Sequence, residues 1–199
     1  MADLWQERRK QAVRAVEPLA VRMRPRTFDE YVGQHHLLAP GKLLRRMIAA
    51  NQLTSLILFG PPGTGKTTLA EVIANTLRRP CERENAASIG VQRIREIIDA
   101  ATRRIENGDS TGTILFLDEI HRFSRSQQDV LLREVERGVI TLIGATTENP
   151  FFEVNAPLRS RSALFRLQTL SEDDLVELLR RGLRAEGADA SDEALRYLA

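Results

Sequence analysis

Cysteine is nearly absent, with Cys81 standing alone in 199 residues. One thiol forms no internal disulfide, and with no second cysteine near it there is no cysteine-built zinc site. Cys81 opens the strand-like stretch "CEREN" and reads as a buried strand residue, with a catalytic thiol as the alternative. Long hydrophobic runs are missing too. No stretch approaches the roughly eighteen apolar residues that cross a bilayer, and the opening "MADLWQERRK" is too polar for the core of a secretory signal. The expectation is a cytoplasmic chain with no membrane partner. An excess of charge is also lacking: the formal net charge is +2, so no overall basic field calls for nucleic acid. Lysine is scarce. Only Lys10, Lys42 and Lys66 interrupt an otherwise all-arginine set of basic residues, a bias of genome composition that makes Lys66 stand out. No internal repeat or low-complexity tract is present.

What is there is an ordinary globular balance, 42% hydrophobic and 28% charged, enough for one sizeable core or for one domain and part of another. Positive charge gathers locally: Arg8, Arg9, Lys10, Arg14, Arg22, Arg24 and Arg26 form a basic arm, either a solvated helix face or a DNA contact. A helix is expected up to about Glu17. The prolines and Gly33 of "EPLAVRMRPRTFDEYVGQ" then argue for an irregular linker or lid. Short, continuously apolar runs "SLILF", "TILFL" and "ITLIGA" read as strands buried on both faces. Helical stretches at 66–78, 91–106 and 125–137 separate them, which makes βαβ units and a mainly parallel sheet. Beyond "LSEDDLVELLRRGLRAEG", where Ser171 is the N-cap and Gly187 the stop, the chain reads as helical. Its last helix has a start signal and no stop signal, so a second domain is expected to be cut short.

"LFGPPGTGKTT" carries the chemistry. Gly60, Gly65, Lys66 and Thr67 fit the phosphate-binding pattern G-x-x-x-x-G-K-[ST], between a strand and a helix as the pattern requires. Backbone amides of such a turn and the helix N-terminus wrap phosphate oxygens, Lys66 meets β/γ charge, and Thr67 ligates Mg²⁺. "TILFLDEIH" brings Asp118 and Glu119 to the C-terminal edge of the sheet, where nucleotides bind in parallel sheets. Asp118 would hold the Mg²⁺ through water, and Glu119 would orient or deprotonate the attacking water. Thr146, Thr147 and Asn149 end the strand of "ITLIGATTENP" and either face the γ-phosphate or cap turns. Arg159 and Arg161 in "NAPLRSRSALF" are surface charge, or one of them reaches a neighbouring subunit's γ-phosphate in trans.

Taken together, "PPGTGKT", "LDEIHRF", "GATTENP" and "LRSRS" resemble an AAA+ ATPase of the clamp-loader and branch-migration-motor group. The longer strings "VRMRPRTFDEYVGQHHLL", "LDEIHRFSRSQQDVLL" and "IGATTENPFFEVNAPLRSR" are similar to the replication-associated recombination protein A family, which includes the Werner-helicase-interacting protein. The resemblance spans about residues 17–181. It implies an α/β fold: a P-loop AAA+ three-layer αβα sandwich with a mainly parallel five-stranded sheet, then the start of an all-helical lid. The organisation would be a basic arm at 1–16, a nucleotide-binding core at 17–169 and the beginning of the lid at 170–199.

The resemblance also implies roles for particular residues. ATP and Mg²⁺ would be held by Gly60, Pro61, Pro62, Gly63, Thr64, Gly65, Lys66, Thr67 and Thr68, with Met23, Arg24, Pro25, Tyr31 and Val32 closing over adenine. The γ-phosphate sensor falls on Thr147, with Thr146 its neighbouring candidate, and the trans finger on Arg161 beside Ser160. Asn85 matches a polar residue that restrains the catalytic glutamate. "SIGVQRIR", around Ser88, Gly90, Val91 and Arg93, would lie near duplex DNA, or is an ordinary amphipathic helix with solvated arginines. The implied function is a DNA-dependent ATPase in fork maintenance, recombination and repair. It would be a homo-oligomer on forked or single-/double-strand junction DNA, nucleoid-associated, with single-strand-binding protein and replisome components as further partners. A clamp-loader subunit or a Holliday-junction motor is the alternative on the same scaffold; a non-catalytic, ATP-switched interaction module is the alternative of another class. The chain departs from the family in length, since members continue through the lid into an oligomerisation domain, and in having Ser124–Arg125 where Asn-Lys is usual.

Overall fold

A computed structural model describes residues 17–109 and 111–199. The expected first helix and the basic arm at 1–16 lie outside the described residues. In chain order the elements are α1 (Leu19–Arg22), α2 (His35–Leu38), α3 (Leu43–Ala49), β1 (Ser55–Phe59), α4 (Lys66–Leu77), β2 (Cys81–Asn85), α5 (Val91–Glu106), β3 (Thr113–Asp118), a 3₁₀ turn (Ile120–Arg122), α6 (Arg125–Glu136), β4 (Ile140–Thr146), α7 (Pro150–Glu153), α8 (Ala156–Ser160), β5 (Ser162–Arg166), α9 (Glu172–Ala185) and α10 (Asp192–Leu198). Among the described residues no helix is long and apolar enough to cross a membrane.

These elements form two compact units: Gln34–Thr169, and residues 17–33 with Leu170–Ala199. The larger unit is an α/β sandwich around a five-stranded, all-parallel sheet in the order β2-β3-β4-β1-β5. Side chains of β1, β3 and β4 are buried along nearly their whole length, as continuous apolar runs require when helices cover both faces. β2 is an edge strand, and Glu82, Arg83 and Glu84 along it discourage pairing with a further strand. Cys81 begins that edge strand and is only half-buried, a correction to the buried position expected of it. Edge strands lack a neighbour on one side.

Helices pack by their apolar stripes. α5 buries Ile94, Ile97 and Ala101, the i, i+3, i+7 spacing of one helical face, against Leu115, Leu117 and Leu131. Ser124 caps α6 in a reciprocal box with Gln127, so the serine that departs from the family pattern still supplies the N-cap oxygen. Gln128, almost fully buried, satisfies its amide completely. Its Nε2 donates to the Phe123 and Glu153 carbonyls at 3.1 and 3.0 Å, and its Oε1 accepts from the Asn155 amide at 2.8 Å. That bonding ties α6 to the α7–α8 segment.

In the smaller unit Ser171 and Asp174 form the capping box that starts α9. Gly182 on α9 lets Met23 lie against the helix, where an added Cβ would stand 3.2 Å from its sulfur. Arg22 pairs with Glu186, and Arg196 bridges Glu172 and Asp173 at 2.8 and 3.1 Å. Residues 17–33, irregular apart from the single turn of α1, therefore share a unit with Leu170–Ala199, whereas their sequence groups them with the sheet.

Candidate active site

Parallel pairing sets the site. Phe59 is in register with Thr146, and Asn85 with Asp118, so the ends of four neighbouring strands line one edge of the sheet. The P-loop leaves β1 at that edge. Gly60 donates its amide to the Thr146 carbonyl at 3.3 Å and passes so close to the chain beyond β5 that a Cβ there would stand 2.3 Å from the Leu167 carbonyl oxygen. Gly65 takes the left-handed conformation at the N-cap of α4, and no side chain caps that helix. Its first amide donors and dipole thus suit an anion.

Lys66, 8% exposed, folds over the loop and donates from Nζ to the Gly60 and Pro61 carbonyls at 2.8 and 2.9 Å. Burial holds its pKa below the ordinary lysine value, and the Asp118 and Glu119 carboxylates push it back up. Thr67 Oγ1 is 3.4 Å from Asp118 Oδ2. A hydroxyl and a carboxylate oxygen beside a phosphate cradle are hard donors that would suit a magnesium ion. Asp118 Oδ1 accepts from the Glu119 amide at 3.0 Å, and Glu119 turns the chain in the left-handed region, at φ +54°.

Residues 56–170 match the ATPase family associated with various cellular activities (AAA). The chain belongs to the AAA family. It is 52% identical over 167 residues to Replication-associated recombination protein A of Escherichia coli K12, an alignment covering 84% of this chain and 37% of that protein. With Replication-associated recombination protein A of Coxiella burnetii it shares 48% identity over 178 residues, covering 89% of this chain and 40% of that protein. Its fold superimposes on the Thermotoga maritima RuvB Holliday junction branch migration motor with a TM-score of 0.69 at 26% identity, covering 87% of this chain and 58% of that chain. The chain therefore spans about two-fifths of the length of these curated relatives.

Within this AAA site, Thr146 and Thr147 separate. Thr146 is fully buried at the end of β4, whereas Thr147 is exposed. Arg161 lies elsewhere. It precedes β5, whose Ser162 pairs with Ser55 at the start of β1, so the length of a five-residue strand, about 17 Å, separates it from the P-loop edge. There its Nε meets Glu136 Oε1 at 2.6 Å. Arg159 is engaged locally, donating to the Phe151 and Val154 carbonyls at 3.0 and 3.1 Å and stacking over the Phe151 ring at 5.0 Å.

The expected adenine contacts Met23, Arg24, Pro25, Tyr31 and Val32 all belong to the smaller unit. Met23 packs on Gly182, Val32 is buried, and burial pushes the Tyr31 hydroxyl pKa up. Asn85 turns onto its own loop, its Oδ1 accepting from the Ala87 amide at 2.8 Å. Arg93 faces three carboxylates, Glu84 at 2.8 Å, Glu82 at 3.3 Å and Glu96 at 3.7 Å, so its charge is already partnered within the chain.

Two residues that sequence reasoning passed over are built into the site. Gln34, 5% exposed, donates from Nε2 to the Gln168 and Thr64 carbonyls at 2.6 and 3.3 Å and accepts from the Gln168 amide at 3.0 Å. One amide thereby pins the P-loop to the chain leaving β5. His121 places Nδ1 2.9 Å from Thr146 Oγ1 and 3.2 Å from Glu119 Oε2. Its signal in the sequence is its position two residues after the acidic pair.

Proposed function

We propose that this AAA chain is the nucleotide-hydrolysing part of a DNA-dependent ATPase that acts in replication-fork maintenance, recombination and repair. The observation that carries the reading is the convergence of Lys66, Thr67, Asp118 and Glu119 on one sheet edge, with Thr67 and Asp118 3.4 Å apart, in a chain half identical to Replication-associated recombination protein A. The P-loop from Gly60 to Thr68 holds the phosphates of ATP, Lys66 neutralising β/γ charge. Thr67 and Asp118 would hold Mg²⁺, which neutralises charge on the transferring phosphoryl group. Glu119 orients the water for in-line attack, and Thr147 or its buried neighbour Thr146 faces the γ-phosphate. Met23, Arg24, Pro25, Tyr31 and Val32 serve adenine.

Arg161 completes the site of a neighbouring copy. Its place at the far edge of the sheet supports that role, because a guanidinium there cannot reach its own P-loop. The working form is accordingly a homo-oligomer on forked or junction DNA in the cytoplasm, at the nucleoid, where single-strand-binding protein and replisome components would recruit it. Likeness to the RuvB motor supports a second reading, a branch-migration motor. ATP turnover measured without DNA, with forked DNA and with a four-way junction tests both. Stimulation by the fork without junction unwinding is expected. Unwinding of the four-way junction selects the second reading. Nucleotide binding with no turnover on any DNA overturns both and leaves an ATP-switched interaction module.

A further inference from the structure

The carboxylate read as orienting the water does not stand alone: the His121 imidazole lies against it. Ile120, fully buried, anchors the 3₁₀ turn beside Gly144 of β4, where an added Cβ would come within 2.9 Å of its Cδ1. That notch seats the turn directly on β4. The next side chain, His121, then reaches the strand's last residue, and its Nδ1 lies 2.9 Å from Thr146 Oγ1 and 3.2 Å from Glu119 Oε2. The hydrogen bond of this nitrogen is with Thr146 Oγ1, and the Glu119 carboxylate stands against the same nitrogen. Thr146 Oγ1 also accepts from the Glu148 amide at 3.0 Å, which fixes the threonine in turn.

The bonding continues to the phosphate cradle, because the Thr146 carbonyl accepts from the Gly60 amide at 3.3 Å. From P-loop to glutamate the path runs Gly60, Thr146, His121, Glu119. Asn85, the residue expected to restrain Glu119, makes its side-chain bond to Ala87 instead. The imidazole is mostly buried and the glutamate more open, at 12% and 35% side-chain exposure. One member is therefore held in place while the other keeps an oxygen for water.

We propose that His121 is the positioning residue of this site: its imidazole, bonded to Thr146 through Nδ1, sets where the Glu119 carboxylate stands relative to the end of β4 and, through Thr146, to the start of the P-loop. The inference rests on the reading of Glu119 as the water-orienting group. Hydrogen bonds that orient a reacting side chain change the rate of the chemical step more than the binding of substrate.

The test is steady-state ATPase kinetics on the full product of the gene, with ATP binding measured separately. His121→Leu, which removes the ring nitrogen bonded to Thr146 and facing Glu119, is expected to lower kcat by about tenfold or more with an unchanged KM for ATP. His121→Asn, whose amide can stand where Nδ1 stands, should recover most of that loss. Wild-type kcat in the leucine variant, or an asparagine variant as slow as a folded leucine variant, overturns the proposal. A leucine variant faster than wild type also overturns it, since the histidine would then be a brake. If the leucine variant does not fold, Thr146→Val decides, because it removes the oxygen to which the same imidazole nitrogen is bonded; kcat must fall at unchanged KM, and an unchanged kcat overturns the idea. Glu119→Gln is run in parallel. Normal turnover there removes the glutamate's role itself, whereas a slow glutamine variant beside a normal leucine variant removes only that of His121.

Discussion

The Arg161 guanidinium and the Glu136 carboxylate meet at 2.6 Å, at the edge of the sheet opposite the P-loop. Both side chains are nearly half exposed, at 49% and 42%, and exposed pairs of this kind contribute under about 1 kcal/mol. A pair so weakly held can exchange its carboxylate for a phosphate without cost to the fold. Glu136→Gln should accordingly leave thermal stability unchanged and turnover no lower than wild type.

Arg161 itself is read as acting in trans, which mixing can test. Arg161→Ala is expected to keep nucleotide binding and to lose about a thousandfold in kcat. Mixed with Lys66→Ala subunits, it should regain turnover, since one copy then brings an intact P-loop and the other an intact arginine. No recovery in the mixture, at concentrations where the wild type assembles, would remove the intersubunit site.

Glu119→Gln and Lys66→Ala should fail differently. The glutamine keeps the shape and hydrogen bonding of the loop, so ATP binding persists while turnover drops by about a hundredfold or more. Lys66→Ala deletes the charge and abolishes nucleotide binding. Binding measured by fluorescent-nucleotide titration, beside phosphate release, separates the two.

Where local pattern dictates structure, the sequence was informative. Continuous apolar runs ending in glycine or polar residues became β1, β3 and β4, and the helical periodicities became α4, α5 and α6 within a residue of their expected ends. What spacing cannot carry is a side-chain contact between distant elements. His121 meets Thr146 across 25 positions, and nothing in "DEIH" tells which way an imidazole points. Gln34 reaches Gln168 across 134 positions. The grouping of residues 17–33 with Leu170–Ala199 likewise depends on Met23 finding Gly182, a fit that neither segment reveals alone.

Two P-loop glycines should respond unequally to a methyl group. At Gly63, φ is +76° with nothing within 4 Å of an added Cβ, so Gly63→Ala costs the left-handed penalty alone, about 1–2 kcal/mol. At Gly60 the methyl meets the Leu167 carbonyl at 2.3 Å. Backbone faces backbone there, and neither can rotate aside. Gly60→Ala should destabilise the chain more than Gly63→Ala in chemical denaturation, and equal losses would show that the close approach near Leu167 relaxes freely.

Lys66 also gives stability a pH dependence of definite sign. Burial lowers its pKa in the folded chain from the ordinary 10.5. In the window between the lowered value and 10.5, the unfolded chain therefore binds more protons than the folded one. Stability to unfolding rises with pH wherever that holds, and Lys66 contributes no slope below the folded value, where both states are protonated. Without nucleotide, the stability of wild type relative to Lys66→Met should be flat near neutral pH and climb as pH rises through the alkaline window. Urea denaturation of both proteins at several alkaline pH values measures the difference. A difference that falls with pH would mean that the Asp118 and Glu119 carboxylates outweigh burial and hold the ammonium charged.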